Sequence, residues 1–250
     1  MAFRTVAFVF CTLQLFGEIT GRTLPSFIKP CKRNDPNLNE CLGNILESLR
    51  PFAAKGIPEM HVPPLDPISV PVISLNQGTN SVNFKALFTH LKGFGAKNFE
   101  LKNIKIDIEN HLFEIELHFP EYKIESKYDI TGKILMLPIK GNGKFSGNFT
   151  NINADVKVIL QTEKKKNGKN HFEFKDKNVD LKIGSAHMHF SNLFNGNKEM
   201  SDTANRFINE HWRSLMQETR PLFEDTVGAM LVNIFKPVFD MYSVEELLPV

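Results

Sequence analysis

The sequence is short of several things, and each shortage excludes something. It has 3 cysteines, 1 tryptophan and 3 tyrosines in 250 residues. So few cysteines cannot staple a small scaffold, so the fold must rest on an apolar core. The net charge is only +2, which leaves no electrostatic footprint for nucleic acid. No apolar run reaches the ~20 residues of a membrane-spanning helix, so stable membrane insertion is not expected. Catalytic signals are missing too. There is no Gly-x-Ser-x-Gly elbow, no His-Glu-x-x-His and no glycine-rich phosphate loop. His187-Met188-His189 sets two imidazoles on one strand face, but the sequence places no third ligand. No catalytic residue, metal or cofactor is therefore expected.

What is present is phenylalanine. The 22 Phe offer apolar surface without a polar tip to satisfy, which suits a dry core or the wall of a site for greasy ligands. The N-terminus, MAFRTVAFVFCTLQLFGEITG, has Arg4, then an apolar run from Thr5 to Phe16, then small residues at Gly17, Thr20 and Gly21. This is the pattern of a secretory signal peptide. Residues 1–21 are expected to be removed, leaving one domain over 22–250 in an extracellular fluid. Cys11 leaves with the signal. Cys31 and Cys41 remain as an even pair in an oxidising compartment, so a disulfide between them is expected. Closing so small a loop contributes about 3 kcal/mol in the chain-entropy treatment. Asn148-Phe149-Thr150 is an N-glycosylation acceptor sequon, expected at an exposed turn.

Leu38, Leu42, Ile45, Leu46 and Leu49 recur at helical spacing, and Gly56 and Pro58 end that helix. Pro63, Pro64, Pro67 and Pro71 then confine residues 62–75 to a sheet edge or a crossing segment. From Ser81 to Leu193 the pattern alternates. Phe113, Ile115, Leu117 and Phe119 alternate with polar residues, as do Ile152, Ala154, Val156 and Val158. The change of phase between Leu101 and Ile104 predicts a bulge near Lys102-Asn103. Asn167-Gly168 predicts a hairpin turn, with Lys164–Lys166 solvated at its tip. Gly141, Gly143 and Gly147 allow the sheet to curl. After the turn at Asn195–Asn197, Ser201 or Asp202 is expected to cap a helix. That helix is expected to run to about Phe239, roughly 55 Å long, with Pro221 bending it to fit the sheet.

A curved antiparallel sheet with one apolar face, and one long helix to cover it, give an α+β fold in which the sheet rolls around the helix. A lone helix cannot fill a wide roll, so an apolar tunnel is expected as a ligand site. Its expected walls are Phe113, Ile115, Leu117, Tyr128, Ile130, Val156 and Val158 from the sheet, and Leu215, Leu222 and Met230 from the helix. Trp212, beside His211 on the helix, is read either as tunnel lining or as a core anchor. Tyr122, Tyr128 and Tyr242 could each offer a hydroxyl to a ligand, and Tyr128, in phase with Ile130, is the best placed to face inward.

The paired Cys31 and Cys41, the sheet-rich middle and the tail together carry a resemblance. The tail holds Leu193-Phe194-Asn195-Gly196-Asn197-Lys198, then Asn205, Phe207, Asn209-Glu210, Trp212 and Pro221, and closes on Glu246-Leu247-Leu248-Pro249. In these positions the mature chain resembles the insect Takeout and juvenile-hormone-binding protein family. With no mature cysteine beyond Cys41, it is more similar to the Takeout branch, since hormone-binding proteins proper carry a second disulfide. The resemblance implies a super-roll of the TULIP type around an apolar tunnel. It also implies a secreted, monomeric carrier of a hydrophobic small molecule: a juvenile-hormone-like terpenoid, a fatty acid or a similar lipid. Two other readings fit parts of the sequence. One is a membrane-active lipid-transfer or lipopolysaccharide-binding module, which a basic, aromatic-tipped end would favour. The other is a secreted lipid-modifying enzyme, which turnover of an ester would favour.

Overall fold

The computed structural model describes residues 23–78, 82–135 and 137–250; the expected signal peptide, residues 1–21, lies outside them. One antiparallel sheet holds β1 (Ile68–Gly78), β2 (Val82–Phe94), β3 (Glu100–Asp107), β4 (Leu112–Ile134), β5 (Leu137–Lys164) and β6 (Asn170–Phe190). The strand order is β1-β2-β4-β5-β6, with β3 also pairing β4. The helices are α1 (Leu38–Lys55), α2 (Lys198–Glu210), α3 (Trp212–Met241) and the short α4 (Val244–Leu247). β5 alone has 28 residues. Straight, it would span about 90 Å, twice the ~45 Å diameter of a compact chain this size. The sheet must coil to be covered. Pro71 lies in β1, at the sheet edge where a missing N–H costs least. The bulge expected near Lys102-Asn103 is present, as a register shift between Leu101 and Asn103.

β3 and β2 pair in series with the same side of β4, against 112–118 and 123–134 respectively. Pro120 falls in the gap between them, where no strand asks for its N–H. The same level carries a crease across the sheet. The register places Pro120, Asn151 and Gly184 side by side on β4, β5 and β6. Asn151 has φ 53°, and a Cβ at Gly184 would lie 2.8 Å from the Asn151 Cβ. On one side of this line the inward residues are Phe119, Ile152 and Ile183. On the other they are Tyr122, Phe149 and Ala186. Ile152 and Ile183 pack in one cluster with Phe149, Ala186 and Trp212, so both sets share the inner face. Strict alternation would put them on opposite faces. All three strands shift phase at one level, so pairing continues across the crease while the inner set changes parity.

Both margins of the sheet are covered by helix side chains. Asn205 and Asn209 of α2 each grip one residue of β6. Asn205 Nδ2 donates to Phe190 O (2.9 Å) and its Oδ1 accepts from Phe190 N (2.8 Å). Asn209 does the same with Met188, at 2.7 and 2.8 Å. Further along, Glu224 of α3 accepts from Leu181 N at 2.9 Å. On β3, Ile106 N donates to Asn39 of α1 at 3.0 Å. These contacts satisfy edge amides that would otherwise invite another chain. α3 also approaches β1 and β2, so it bridges the two margins of the roll.

The structure corrects several expectations. The expected single rod is two helices. α2 stops at Glu210, and His211, at φ −110° and ψ 16°, is the joint before α3. The cap of α2 is Asn197, which accepts from Met200 N at 3.0 Å, because the Asn195–Asn197 turn delivers that side chain to the first free amides. Ser201 instead donates to Leu193 O at 2.6 Å, and Asp202 pairs with Lys198 at 2.8 Å. α3 runs on through Pro221 and Pro237. Asn148 is not in a turn but mid-β5, between Lys123 and His187. Lys165 at the hairpin tip is not merely solvated; it pairs with Asp240 and with Glu173. Gly143 serves close approach as well as curling, since a Cβ there would meet Ser191 O at 2.3 Å.

Candidate functional site

The pairing registers line up apolar residues in rows across four strands. One row is Ile104, Ile115, Val156, Val179; the next is Leu101, Leu117, Ala154, Leu181. Directly opposed residues share a face, so each row is a greasy stripe across the inner surface. Among the described residues, the closest helix approaches to these rows are at the margins. Gly43 of α1 sits against Leu101 and Ile104, at 3.3 and 3.6 Å from an added Cβ. α3 follows β6 at the other margin. Between them, Ile115, Leu117 and Val156 remain only half-buried. On α3, Met230 lies four residues before Ile234 and eight before Val238, on the stripe that those buried residues point inward. It too is half-buried. These half-buried apolar side chains belong to none of the packed clusters of the described residues.

The ends of the roll are packed. At one end Leu75, Phe84, Tyr128, Ile130, Phe145, Phe190, Ile208 and Leu215 form a core, with Leu222 against it. At the other, Leu38, Leu160, Phe172, Val244 and Leu248 pack with Phe113 and Val158. The expected wall residues therefore divide among the two packed ends, the Trp212 cluster and the surface between the ends. Tyr128, Ile130, Leu215 and Leu222 are brought together in one packed end, and Phe113 and Val158 in the other. Trp212, 8% exposed, anchors Phe149 and Ala186 with Arg213 over its ring at 4.7 Å, which is a core position. Ile115, Leu117, Val156 and Met230 lie between the packed ends. Leu101 and Ile104 join them; the bulge that brings both inward was legible in the sequence, but not their place in the wall.

Polar groups near this surface are few. Tyr128 faces inward as its phase requires, but its hydroxyl donates to Ser191 O at 2.7 Å, so its proton is not free for a ligand. Burial, aided by Asp129, pushes that phenol up to about 12. Burial, then Asp66, does the same to Tyr122. Both stay neutral at physiological pH. Tyr242 is buried at 1% exposure. Ser126, two residues before Tyr128, buries a hydroxyl without a hydrogen-bond partner among the described residues. Cys31 and Cys41 are bonded, with Cα atoms 6.0 Å apart, and Cys31 sits in the packed end beside α1. His187 and His189 are exposed on the outer face. Among the described residues no group of His, Cys, Asp or Glu is placed to hold a metal ion, and no helix is long and apolar enough to cross a membrane.

The profile of the family described as haemolymph juvenile hormone binding protein matches residues 5–249. The chain belongs to this family. Among curated relatives, the circadian clock-controlled protein daywake of Drosophila melanogaster is 29% identical over 204 residues, 79% of this chain and 77% of the relative. Daywake of Drosophila yakuba is 27% identical over the same shares. The crystal structure of Epiphyas postvittana Takeout 1 superposes with a TM-score of 0.75 at 24% identity, covering 89% of this chain and 100% of the other. That likeness is one of fold: a large curved antiparallel sheet with a long C-terminal helix, as in this juvenile-hormone-binding-family chain. Proteins of the family are binding proteins rather than enzymes.

Proposed function

We propose that this protein is a secreted, monomeric carrier that holds one hydrophobic small molecule over the inner faces of β4 and β5. The observation that carries the reading is the half-buried set Ile115, Leu117, Val156 and Met230, left between two packed ends and two helix-covered margins. The ligand classes that fit are terpenoids, fatty acids and similar lipids. Binding is driven by desolvation. A ligand that buries about 400 Å² of apolar surface gains on the order of 10 kcal/mol gross. Association and ordering costs leave micromolar affinity. A wall of Ile, Leu, Val and Met discriminates by shape, so selectivity is broad. Membership of a binding-protein family, the signal-like N-terminus and the satisfied sheet margins, which disfavour chain association, all support this reading.

The test is native mass spectrometry of protein secreted from eukaryotic cells. The expected result is a mass excess that organic extraction removes and that added fatty acid or terpenoid restores. A folded protein that carries nothing and takes up neither class would contradict the reading.

A further inference from the structure

At the end of the roll near the disulfide, a cleft of about 220 Å³ opens between the β3–β4 turn, the β5–β6 hairpin and α4. Its floor is apolar: Phe113, Phe172 and Leu248. Its rim is polar: Arg33, His111, Thr162, Asn170 and Glu245. Phe113 lies two residues from Ile115 on the same face of β4, so the floor borders the surface between the packed ends. The cleft is smaller than the ~300–1,000 Å³ that whole small-molecule ligands occupy. It suits one end of a longer molecule.

The rim sorts by charge. Arg33 is placed by two ties to the C-terminal tail: its N–H donates to Pro249 O at 2.6 Å, and one guanidinium nitrogen donates to Leu248 O at 3.2 Å. No ion pair engages the guanidinium among the described residues. A guanidinium has five N–H donors in a planar fork suited to a carboxylate, so donors remain. The His111 ring stands edge-on to Phe172 with centroids 6.2 Å apart, at the junction of rim and floor. Thr162 and Asn170 add neutral hydrogen-bonding groups. Glu245 is the opposing charge, and it is exposed.

We propose that this cleft is the headgroup subsite of the carrier, and that Arg33 selects amphiphiles with a carboxylate head whose tail runs inward over Phe113 toward Ile115. The proposal rests on the carrier reading above. The test measures affinity for hexadecanoic acid and for its methyl ester at about pH 7.5, by displacement of a fluorescent fatty alcohol. Wild-type protein should bind the acid about tenfold to a hundredfold more tightly than the ester, the range a charge-assisted hydrogen bond supplies. Arg33→Gln should abolish that preference by weakening the acid far more than the ester. Glu245→Gln, at an exposed position that tolerates change, should tighten the acid and not the ester. Equal binding of acid and ester by wild type overturns the proposal but leaves the carrier reading standing. A preference that survives Arg33→Gln also overturns it. If Arg33→Gln does not fold, an unchanged acid affinity in Glu245→Gln overturns it instead. Folded wild type that binds neither compound overturns the proposal, and only a failure to bind terpenoids as well contradicts the carrier reading itself.

Discussion

Asn205 and Asn209 do with their amides what a further strand would do with its backbone. They stand one helical turn apart on α2, and each satisfies both the N–H and the C=O of a β6 residue, Phe190 and Met188. Asn205 is 8% exposed, so little water can replace it. Truncation to Ala would strand two buried backbone groups, and each unsatisfied group costs about 1–3 kcal/mol. Asn205→Ala should therefore lower the stability read from urea unfolding by roughly 2–4 kcal/mol. A loss below about 0.5 kcal/mol, the scale of an ordinary surface change, would mean that the amide only decorates the edge. These two asparagines sit among the tail residues that carried the family resemblance, yet their sequence context says nothing of their role. Asn within a helix is usually a poor helix former facing solvent. Only the antiparallel run of β6 beside α2, which sets Asn205 against Phe190 and Asn209 against Met188, shows what they do.

At the scale of elements, the β5–β6 hairpin is latched to the end of α3. Lys165 at the hairpin tip pairs with Asp240, Lys236 of α3 reaches both Asp240 and Glu173, and His171 Nδ1 lies 2.9 Å from Phe239 O. The hydrogen bond from Lys165 holds the Asp240 carboxyl below its ordinary value of 3.8 against the opposing effect of burial, with a lesser contribution from the Lys236 hydrogen bond. The folded value lies below the unfolded one. Its contribution to stability is therefore whole above about pH 4 and is lost as pH falls through the folded value. Asp240→Asn should lower the urea midpoint modestly at about pH 7, since partly exposed pairs contribute little. The gap between variant and wild type should close as pH drops below about 4. A gap that persists to about pH 2 would assign the effect to something other than the carboxylate charge. The hairpin itself was legible in Asn167-Gly168, and the alternation of β4 to β6 was legible in Phe, Ile, Leu and Val at every second position. The latch was not, because it joins residues 75 apart in the chain. Nor was the joint at His211, since the apolar period runs through it. The helix cap was misplaced because Asn197, Ser201 and Asp202 are all competent caps and only the turn geometry chooses between them.

At the scale of the molecule, two long-range arrangements decide the candidate site, and neither has a local signal. The crease at Pro120, Asn151 and Gly184 lets one inner face use different residue parities on its two sides. It places Tyr128 in one packed end and Phe113 in the other, with the Trp212 cluster straddling the crease between them. The headgroup cleft depends on Arg33 meeting the C-terminal tail across 215 residues of sequence. What the sequence did reveal is the roll itself, because a sheet with one greasy face and one long helix to cover it have few other arrangements. The central claim is that the surface between the packed ends, over Ile115, Leu117 and Val156, is not filled by protein. The most direct measurement is made on Val156→Phe, comparing its melting temperature and its affinity for a fluorescent fatty acid with those of wild type. The account predicts at least about a tenfold loss of binding with the melting temperature held within about 2 °C, because the added ring occupies ligand space. Unchanged binding with a melting temperature lowered by roughly 2–10 °C, the mark of a ~1–3 kcal/mol overpacking penalty in a solid core, would contradict it.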